Sequence, residues 1–303
     1  MSRYNSFHDY FYNKFNKKIL KLSIDAGFTC PNRDGTLGKS GCIYCSERGS
    51  GDFTFKDLDS ITLQMEKQRK ILERKWPEGL NIAFFQNFTN TYAYVEQLRK
   101  IYYTALSFEN TVGLAIATRA DCLSDEVLDL LSELNEKTFL WIELGMQSVN
   151  ESIIEEINRG YSHTVFDTAV DKLKERDIKT LSHIIFGLPG ETSESMMDGI
   201  RYINDKKLFG VKIHSLYIQE DTPLAKIYKE KPFELLSKEE YINLVVEAIS
   251  RLDPKIVIHR LTGDPNRQKL IAPNWTADKL SVLSGIEKRL KVENINQGCN
   301  ATF

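Results

Sequence analysis

Three of the chain's five cysteines fall in one stretch, CPNRDGTLGKSGCIYC, as Cys30, Cys42 and Cys45. Cys42 and Cys45 form a C-x2-C pair able to put two thiolates on one metal. Eleven residues separate Cys30 from Cys42, in a loop whose Gly35, Gly38 and Gly41 let the chain fold back on itself. Three thiolates are one short of a structural zinc site, which Cys122 or a histidine would have to complete. They also suit a 4Fe-4S cluster that keeps one iron open for a substrate or cofactor. Cysteines with no metal are a third possibility. A redox pair fits less well, because the motif lies in a long loop and not at a helix N-terminus after a strand. Spacing alone leaves zinc and iron-sulfur both open.

The elements that must position this loop alternate between short β-branched or aromatic runs and longer amphipathic stretches. Strands are expected at 19–26, 80–86, 111–117, 138–145, 178–186 and 210–218. Helices are expected to begin near Leu58, Thr91, Ser124, between Ser152 and His163, and at Ser193 and Ser237, with Ser124 followed by Asp125 and Glu126 as an N-cap signal. A further apolar run at 255–261 and a helix near 276–291 would complete the C-terminal part. Six βα units with right-handed crossovers make either a doubly wound sheet or a partial TIM-like (β/α)6 barrel. The polar and glycine-rich segments decide for the barrel. The cysteine loop, QNFTNTY (86–92), TRADC (118–122), ELGMQS (143–148) and GLPGET (187–192) nearly all follow a strand's C-terminal end, where barrel enzymes build their sites. The expected organisation is an N-terminal extension (1–18), the α/β barrel core (19–220) and a C-terminal extension (221–303) packing on the barrel.

The 303 residues are 42% hydrophobic and 27% charged, which excludes large-scale disorder. No run approaches the roughly eighteen apolar residues of a membrane span. The N-terminus MSRYNSFHDYFYNKFNKK interleaves charge with aromatics where a signal peptide would be apolar. The chain reads as cytoplasmic, where thiols stay reduced and an odd cysteine count suits a ligand set. Net charge is -2, yet Arg3, Lys14, Lys17, Lys18 and Lys21 against Asp9 give the first 21 residues +4, and residues 260–303 carry seven basic and four acidic side chains, leaving the middle at -9. Basic ends on an acidic body fit a nucleic-acid surface or simply solvated faces.

At the cysteines the sequence resembles the radical S-adenosylmethionine (SAM) superfamily and, within it, the Elp3-like branch that holds the bacterial YhcC/YtqA family. The marks are Cys30 with Cys42-Ile43-Tyr44-Cys45, the approach LSIDAGFTCPNRDG (22–35), SGDF (50–53), and the later IHRLTGDP and LIAPNW. The resemblance covers nearly the whole chain. The long gap between the first two cysteines departs from the commoner C-x3-C-x2-C spacing but fits this branch. It implies a 4Fe-4S cluster on Cys30, Cys42 and Cys45 whose open iron takes the amino and carboxylate groups of SAM. One electron, from a donor such as flavodoxin or ferredoxin, then yields a 5'-deoxyadenosyl radical that abstracts a substrate hydrogen.

Carried over residue by residue, the resemblance sets Tyr44 against the adenine, Glu143 on the ribose hydroxyls, Gly187 of GLPGE near the adenine, Gln147 and Ser148 by the methionyl moiety, and Arg159 on the cofactor carboxylate. Glu143 also stands out by itself, since an acid inside the apolar run TFLWIELG needs a specific partner unless it is a surface carboxylate. The family's Gly-Gly-Glu after the second strand is replaced by QNFTN, which makes Asn87 and Thr89, beside Gln86 and Asn90, the candidates for the methionyl amine. His183 and His214 are expected to line the pocket, Cys122 to pack and Cys299 to sit on a mobile tail. No residue is singled out as directly catalytic.

Members of the branch modify the C5 side chain of the tRNA wobble uridine, and the resemblance points to conversion of carboxymethylaminomethyluridine to aminomethyluridine. The expected partner is tRNA, with neither DNA nor a membrane involved. Tyr4, Phe7, Tyr10, Phe11, Tyr12 and Phe15 would either stack on anticodon-loop bases or cover the barrel's open end. No acetyltransferase domain is expected after residue 260. A radical enzyme for a small metabolite, and a non-catalytic protein stabilised by zinc, are the other readings.

Overall fold

The computed structural model describes residues 2–47, 49 and 60–301; SGDF (50–53) and the helix start expected at Leu58 lie outside them. Among the described residues, seven parallel strands form one sheet in the order β1 (Ile19–Ile24), β2 (Leu80–Phe85), β3 (Thr111–Thr118), β4 (Phe139–Gln147), β5 (Lys179–Phe186), β6 (Gly210–Ser215) and β8 (Val257–Arg260). β7 (Ile218–Gln219) and β9 (Leu270–Ala272) form a small antiparallel pair. The six expected strands become seven because the apolar run at 255–261 pairs with β6. Lys21 on β1 and Lys212 on β6 both reach Glu143 on β4, so the sheet curls into an open barrel.

Crossover helices cover the outside: α2 (Ile61–Leu72), α3 (Val95–Leu106), α4 (Asp125–Lys137), α6 (His163–Lys174), α7 (Ser193–Asp205) and α9 (Lys238–Arg251), the last with α10 (Lys279–Val292) against it. Their starts follow local chemistry. Ser124 caps α4, Thr192 caps α7, and Ser237 with Glu240 forms a capping box at α9. The helix start expected between Ser152 and His163 resolves into two helices, α5 (Glu151–Glu156) and α6, because Asn158 at φ 53° and Gly160 at φ 84° break the helical path between them. No described helix is long and apolar enough to cross a membrane.

α1 (Phe7–Phe15) closes the end of the barrel where the strands begin. Phe7, Tyr10, Phe11 and Phe15 pack on Phe139, Trp141 and Phe209 from that end of the sheet. Of the two roles expected for these aromatics, the structure gives them the second. Lys14 lies over Phe139 and Lys18 over Trp76, so this part of the basic N-terminus sits at the closed end, away from the loop face, while Lys21 points into the interior.

The two termini are tied together. The Gln297 amide donates to the carbonyls of Asp253 (2.7 Å) and Ile256 (2.9 Å) and accepts from the Asn5 N–H (2.7 Å). Cys299, although exposed, therefore follows a pinned segment and not a mobile tail, and Asn300 N–H bonds to the Ser250 carbonyl. Gln297→Ala should cost about 1–3 kcal/mol by leaving these groups unsatisfied, seen as a lower denaturation midpoint and faster proteolysis of both ends.

Candidate functional site

After β1 the chain enters the cysteine loop, which is folded back by side-chain bonds. The buried Asn32 amide donates to the Asn158 carbonyl (2.7 Å), and the Asn158 amide donates to the Gly41 carbonyl (2.7 Å). A Cβ at Gly38 would stand 2.8 Å from Asn32 Oδ1, so this fold-back needs glycine there. The C-x2-C turn is clamped from both sides. Ile43 N–H donates to the Ile157 carbonyl (3.0 Å), and the Ile43 carbonyl accepts from Leu224 N–H (2.8 Å), in α8 (Pro223–Glu230).

These anchors bring Cys30, Cys42 and Cys45 to the lining of one open cleft at the C-terminal ends of the strands. The Cys42 thiol is pulled down to about 6 by its bond with the Cys45 sulfur, which outweighs burial with help from Tyr44 and Arg119. That bond and burial drive Cys45 up instead, so the pair holds one proton between two sulfurs. No three ligating side chains among the described residues stand close enough to share a single ion. Cys122 lies outside the cleft lining, and burial, with Asp121 beside it, pushes its thiol up to about 12.

Beside the thiols, in the lining of the same cleft, stand two arginines with a tyrosine. The Tyr161 ring lies between the guanidinium groups of Arg119 (4.8 Å) and Arg159 (4.4 Å). Arg119 is fixed by Asp121 (2.7 Å) and donates to the Arg159 carbonyl (2.8 Å). Arg159 donates to the carbonyls of Met146 and Tyr161, but its buried Nη2 has no partner. Above it β4 is irregular: the register shifts between Gly145 and Gln147, and Gln147 has φ 60°. Such a shift re-aims a side chain. With its amide turned to satisfy both ends, Gln147 donates to the Gly145 carbonyl (2.6 Å) and accepts from the Tyr44 hydroxyl (3.2 Å).

The expected cofactor residues divide. Tyr44, Thr89, Glu143, Gln147 and Arg159 line the cleft, as do Gln86, His183 and His214. Asn87, Ser148 and Gly187 do not, and each has another task. Asn87 donates to Asp25 (2.6 Å), holding the QNFTN loop to the end of β1. Gly187, at φ 89°, makes a bend packed against Leu236. Ser148 donates to Glu191 Oε1 (2.7 Å), and Glu191 Oε2 is buried without a partner.

Burial raises the Glu191 carboxyl from its ordinary 4.5 to about 7, the Ser148 bond offsetting only part of the effect. The native state thus holds a proton that the unfolded chain has lost, and stability falls as pH rises from about 4.5 to about 7. Glu191→Gln should remove this slope and gain about 2–3 kcal/mol on the wild type above pH 7, read from denaturation midpoints at pH 5 and pH 8.

The floor of the cleft is charged. Glu143 is fully buried, with Oε1 accepting from Lys21 (3.2 Å) and Trp141 Nε1 (3.0 Å), and Oε2 meeting Lys212 and His183 Nε2 (2.8 Å). Burial alone would raise its carboxyl, but the charges of Lys21 and Lys212 and the His183 bond hold it well below the usual range. The ribose role expected of Glu143 therefore has to compete with four internal partners. Lys21 and Lys212 were not singled out from sequence. Their signal was the same as that of Glu143, one charge inside an apolar strand: ILKLSI and GVKIHS.

Residues 29–203 match the Radical SAM superfamily, more than half of the chain, and residues 209–292 match the Radical_SAM C-terminal domain. The chain belongs to the radical SAM superfamily. It is 40% identical over 296 residues to YtqA of Bacillus subtilis (strain 168), covering 98% of this chain and 92% of that one. It is 30% identical over 175 residues to a tRNA uridine(34) acetyltransferase of Methanocaldococcus jannaschii, covering 56% of this chain and 31% of the relative. Among solved structures, an archaeal Elp3 from Methanocaldococcus infernus superposes with a TM-score of 0.71 at 18% identity, over 93% of this chain and 64% of that one, which is a likeness of fold.

Radical SAM membership implies a 4Fe-4S cluster and SAM, and the residues present fit both. Three thiols lining one cleft are the donor set of a 4Fe-4S cluster that keeps one iron open. The unpartnered Arg159 Nη2 and Thr89 Oγ1, both buried, are polar atoms that a bound amino acid moiety would satisfy.

Proposed function

We propose that this radical SAM enzyme modifies the C5 side chain of the tRNA wobble uridine, converting carboxymethylaminomethyluridine to aminomethyluridine. The observation that carries the reading is the cleft itself: three thiols in its lining, an arginine with an unpartnered buried N–H beside them, and a charged floor below for a target group. The uridine is supported by the relatives whose names place them on tRNA, including the tRNA uridine(34) acetyltransferase. When bound, the cluster and SAM supply the radical chemistry.

The chain's own residues then have distinct tasks. Cys30, Cys42 and Cys45 hold the cluster, with the clamp on Ile43 fixing the pair's position. Tyr44 and Gln147, bonded to each other, form a ledge for the adenosyl part. Arg159 Nη2 takes the cofactor carboxylate and Thr89 Oγ1 its amine, both inside a wall that excludes water. An electron donor such as flavodoxin or ferredoxin and a cytoplasmic location complete this reading.

One observation favours a small metabolite instead. Lys14 and Lys18 lie at the closed end of the barrel and cannot guide tRNA to the cleft. The test is anaerobic reconstitution with iron and sulfide, reduction, and chromatography for 5'-deoxyadenosine with and without undermodified tRNA. Product formation stimulated by that tRNA, together with loss of the carboxymethylaminomethyl nucleoside, supports the proposal. Cleavage indifferent to tRNA overturns the uridine assignment and leaves the small metabolite.

A further inference from the structure

Below the thiols, the cleft ends on a layer whose charges do not balance. Among the described residues Glu143 is its one carboxylate, paired with Lys21 from β1 and Lys212 from β6, while a third cation, Arg260 from β8, stands in register beside Lys212. Arg260 pairs in register with Lys212, and its charge acts on Lys21, Lys212, His183 and His214. It has no ion pair or hydrogen bond of its own among the described residues. The histidines add no negative charge. Burial, reinforced by Lys212, holds His183 down at about 4, and burial with Arg260 beside it lowers His214 as well.

A network whose task is only structural pairs its buried charges, because an uncompensated one is costly. Here the excess is positive, although burial lowers Lys21 and Lys212, and it lies behind the lining of the cleft, which the three cations do not themselves join. Glu143, His183 and His214 form the surface of the layer, the two imidazole rings 5.5 Å apart and both lining the cleft, with the three cations behind them. His214 Nε2 is a second unmet group, buried and without a partner. The wall around the thiols already has its own arginines, so this second positive region lies apart from the one assigned to the cofactor.

We infer that the floor of the cleft is a carboxylate-binding site that receives the anionic end of the substrate, with His183 and His214 in contact and Lys21, Lys212 and Arg260 supplying the charge. For the identity of that substrate the inference rests on the wobble-uridine reading, in which the carboxymethyl carboxylate would enter the floor and hold the rest of the side chain beneath the radical source. The site selects the carboxymethylated nucleoside against the aminomethyl product, which lacks the anion.

The test uses reconstituted enzyme with SAM and two nucleoside probes, 5-carboxymethylaminomethyluridine and its carboxamide. The wild type should bind the acid about tenfold or more tightly than the amide, the size of one charged hydrogen bond. Arg260→Gln should erase that preference, and Arg260→Lys should restore part of it, with SAM affinity unchanged in both. Arg260 has no internal partner, so replacing it strands no buried group and the fold should survive. Equal binding of acid and amide, or a preference that persists in Arg260→Gln, overturns the site while leaving the uridine reading standing.

A second measurement separates the two ideas. Trp141 donates to Glu143, so its emission, isolated by Trp76→Phe and Trp275→Phe, reports on the layer. A saturable change with acetate and none with acetamide, absent in Arg260→Gln, supports the site even if neither nucleoside binds; the uridine reading alone then falls. Acetate behaving like acetamide overturns the site.

Discussion

Cys42→Ala should yield a folded protein that gains no iron-sulfur absorption on anaerobic reconstitution and forms no 5'-deoxyadenosine, a loss on the order of a thousandfold or more. Cys30→Ala and Cys45→Ala should do the same. Each thiol lines the cleft on a loop anchored by backbone bonds on both sides, so a methyl group in place of a sulfur removes a ligand without releasing the loop. Cys122→Ala and Cys299→Ala are the controls. Burial beside Asp121 keeps the Cys122 thiol protonated up to about 12, and Cys299 is exposed on the C-terminal segment. Both variants should take up as much iron and sulfide as the wild type. The outcome that would sink the assignment is stoichiometric zinc in the purified protein, lost in Cys122→Ala, with no cluster under any reconstitution condition.

The fold was legible because parallel strands buried on both faces are written as short apolar runs, and their order along the chain sets the order in the sheet. The seventh strand was visible as a run but not as a sheet member, since pairing with β6 depends on where the chain lies after α9. That the three thiols, Tyr44, Gln147 and Arg159 belong to one cleft was legible through motif and resemblance, whereas the bond between Tyr44 and Gln147 was not. What was not legible is how each loop residue turns. Asn87, Ser148 and Gly187 sit in the right loops, yet bonds to Asp25 and Glu191 and a left-handed bend aim them elsewhere. The floor was half visible. A single lysine in ILKLSI or GVKIHS marks a buried cation, but that both converge on Glu143 follows only from the curl of the sheet. The aromatic N-terminus carried two readings because a helix of phenylalanines and tyrosines plugs a barrel and stacks on bases with the same side chains.

Glu143→Leu should destabilise the protein by about 3–5 kcal/mol, the cost of leaving a buried charge without its partner. The carboxylate is fully buried and meets four groups, so its loss strands Lys212, itself almost wholly buried, beside Lys21. The double variant Glu143→Leu/Lys212→Met should recover much of that loss, because two apolar side chains replace a desolvated pair. Denaturant midpoints of the wild type, the two single variants and the double variant close the cycle. The same set decides what Glu143 is for. If its carboxylate bound the ribose of SAM, the more conservative Glu143→Gln would weaken SAM binding while Lys212→Met would not. If instead it organises the floor, Glu143→Gln should lower stability and acid selectivity together and leave SAM affinity near the wild-type value. The four contacts on its two oxygens favour the second outcome. In that case the acid that draws attention in TFLWIELG does not hold the cofactor; it keeps Lys21 and Lys212 assembled under the cleft, beside Arg260, where an incoming anion can meet their charge.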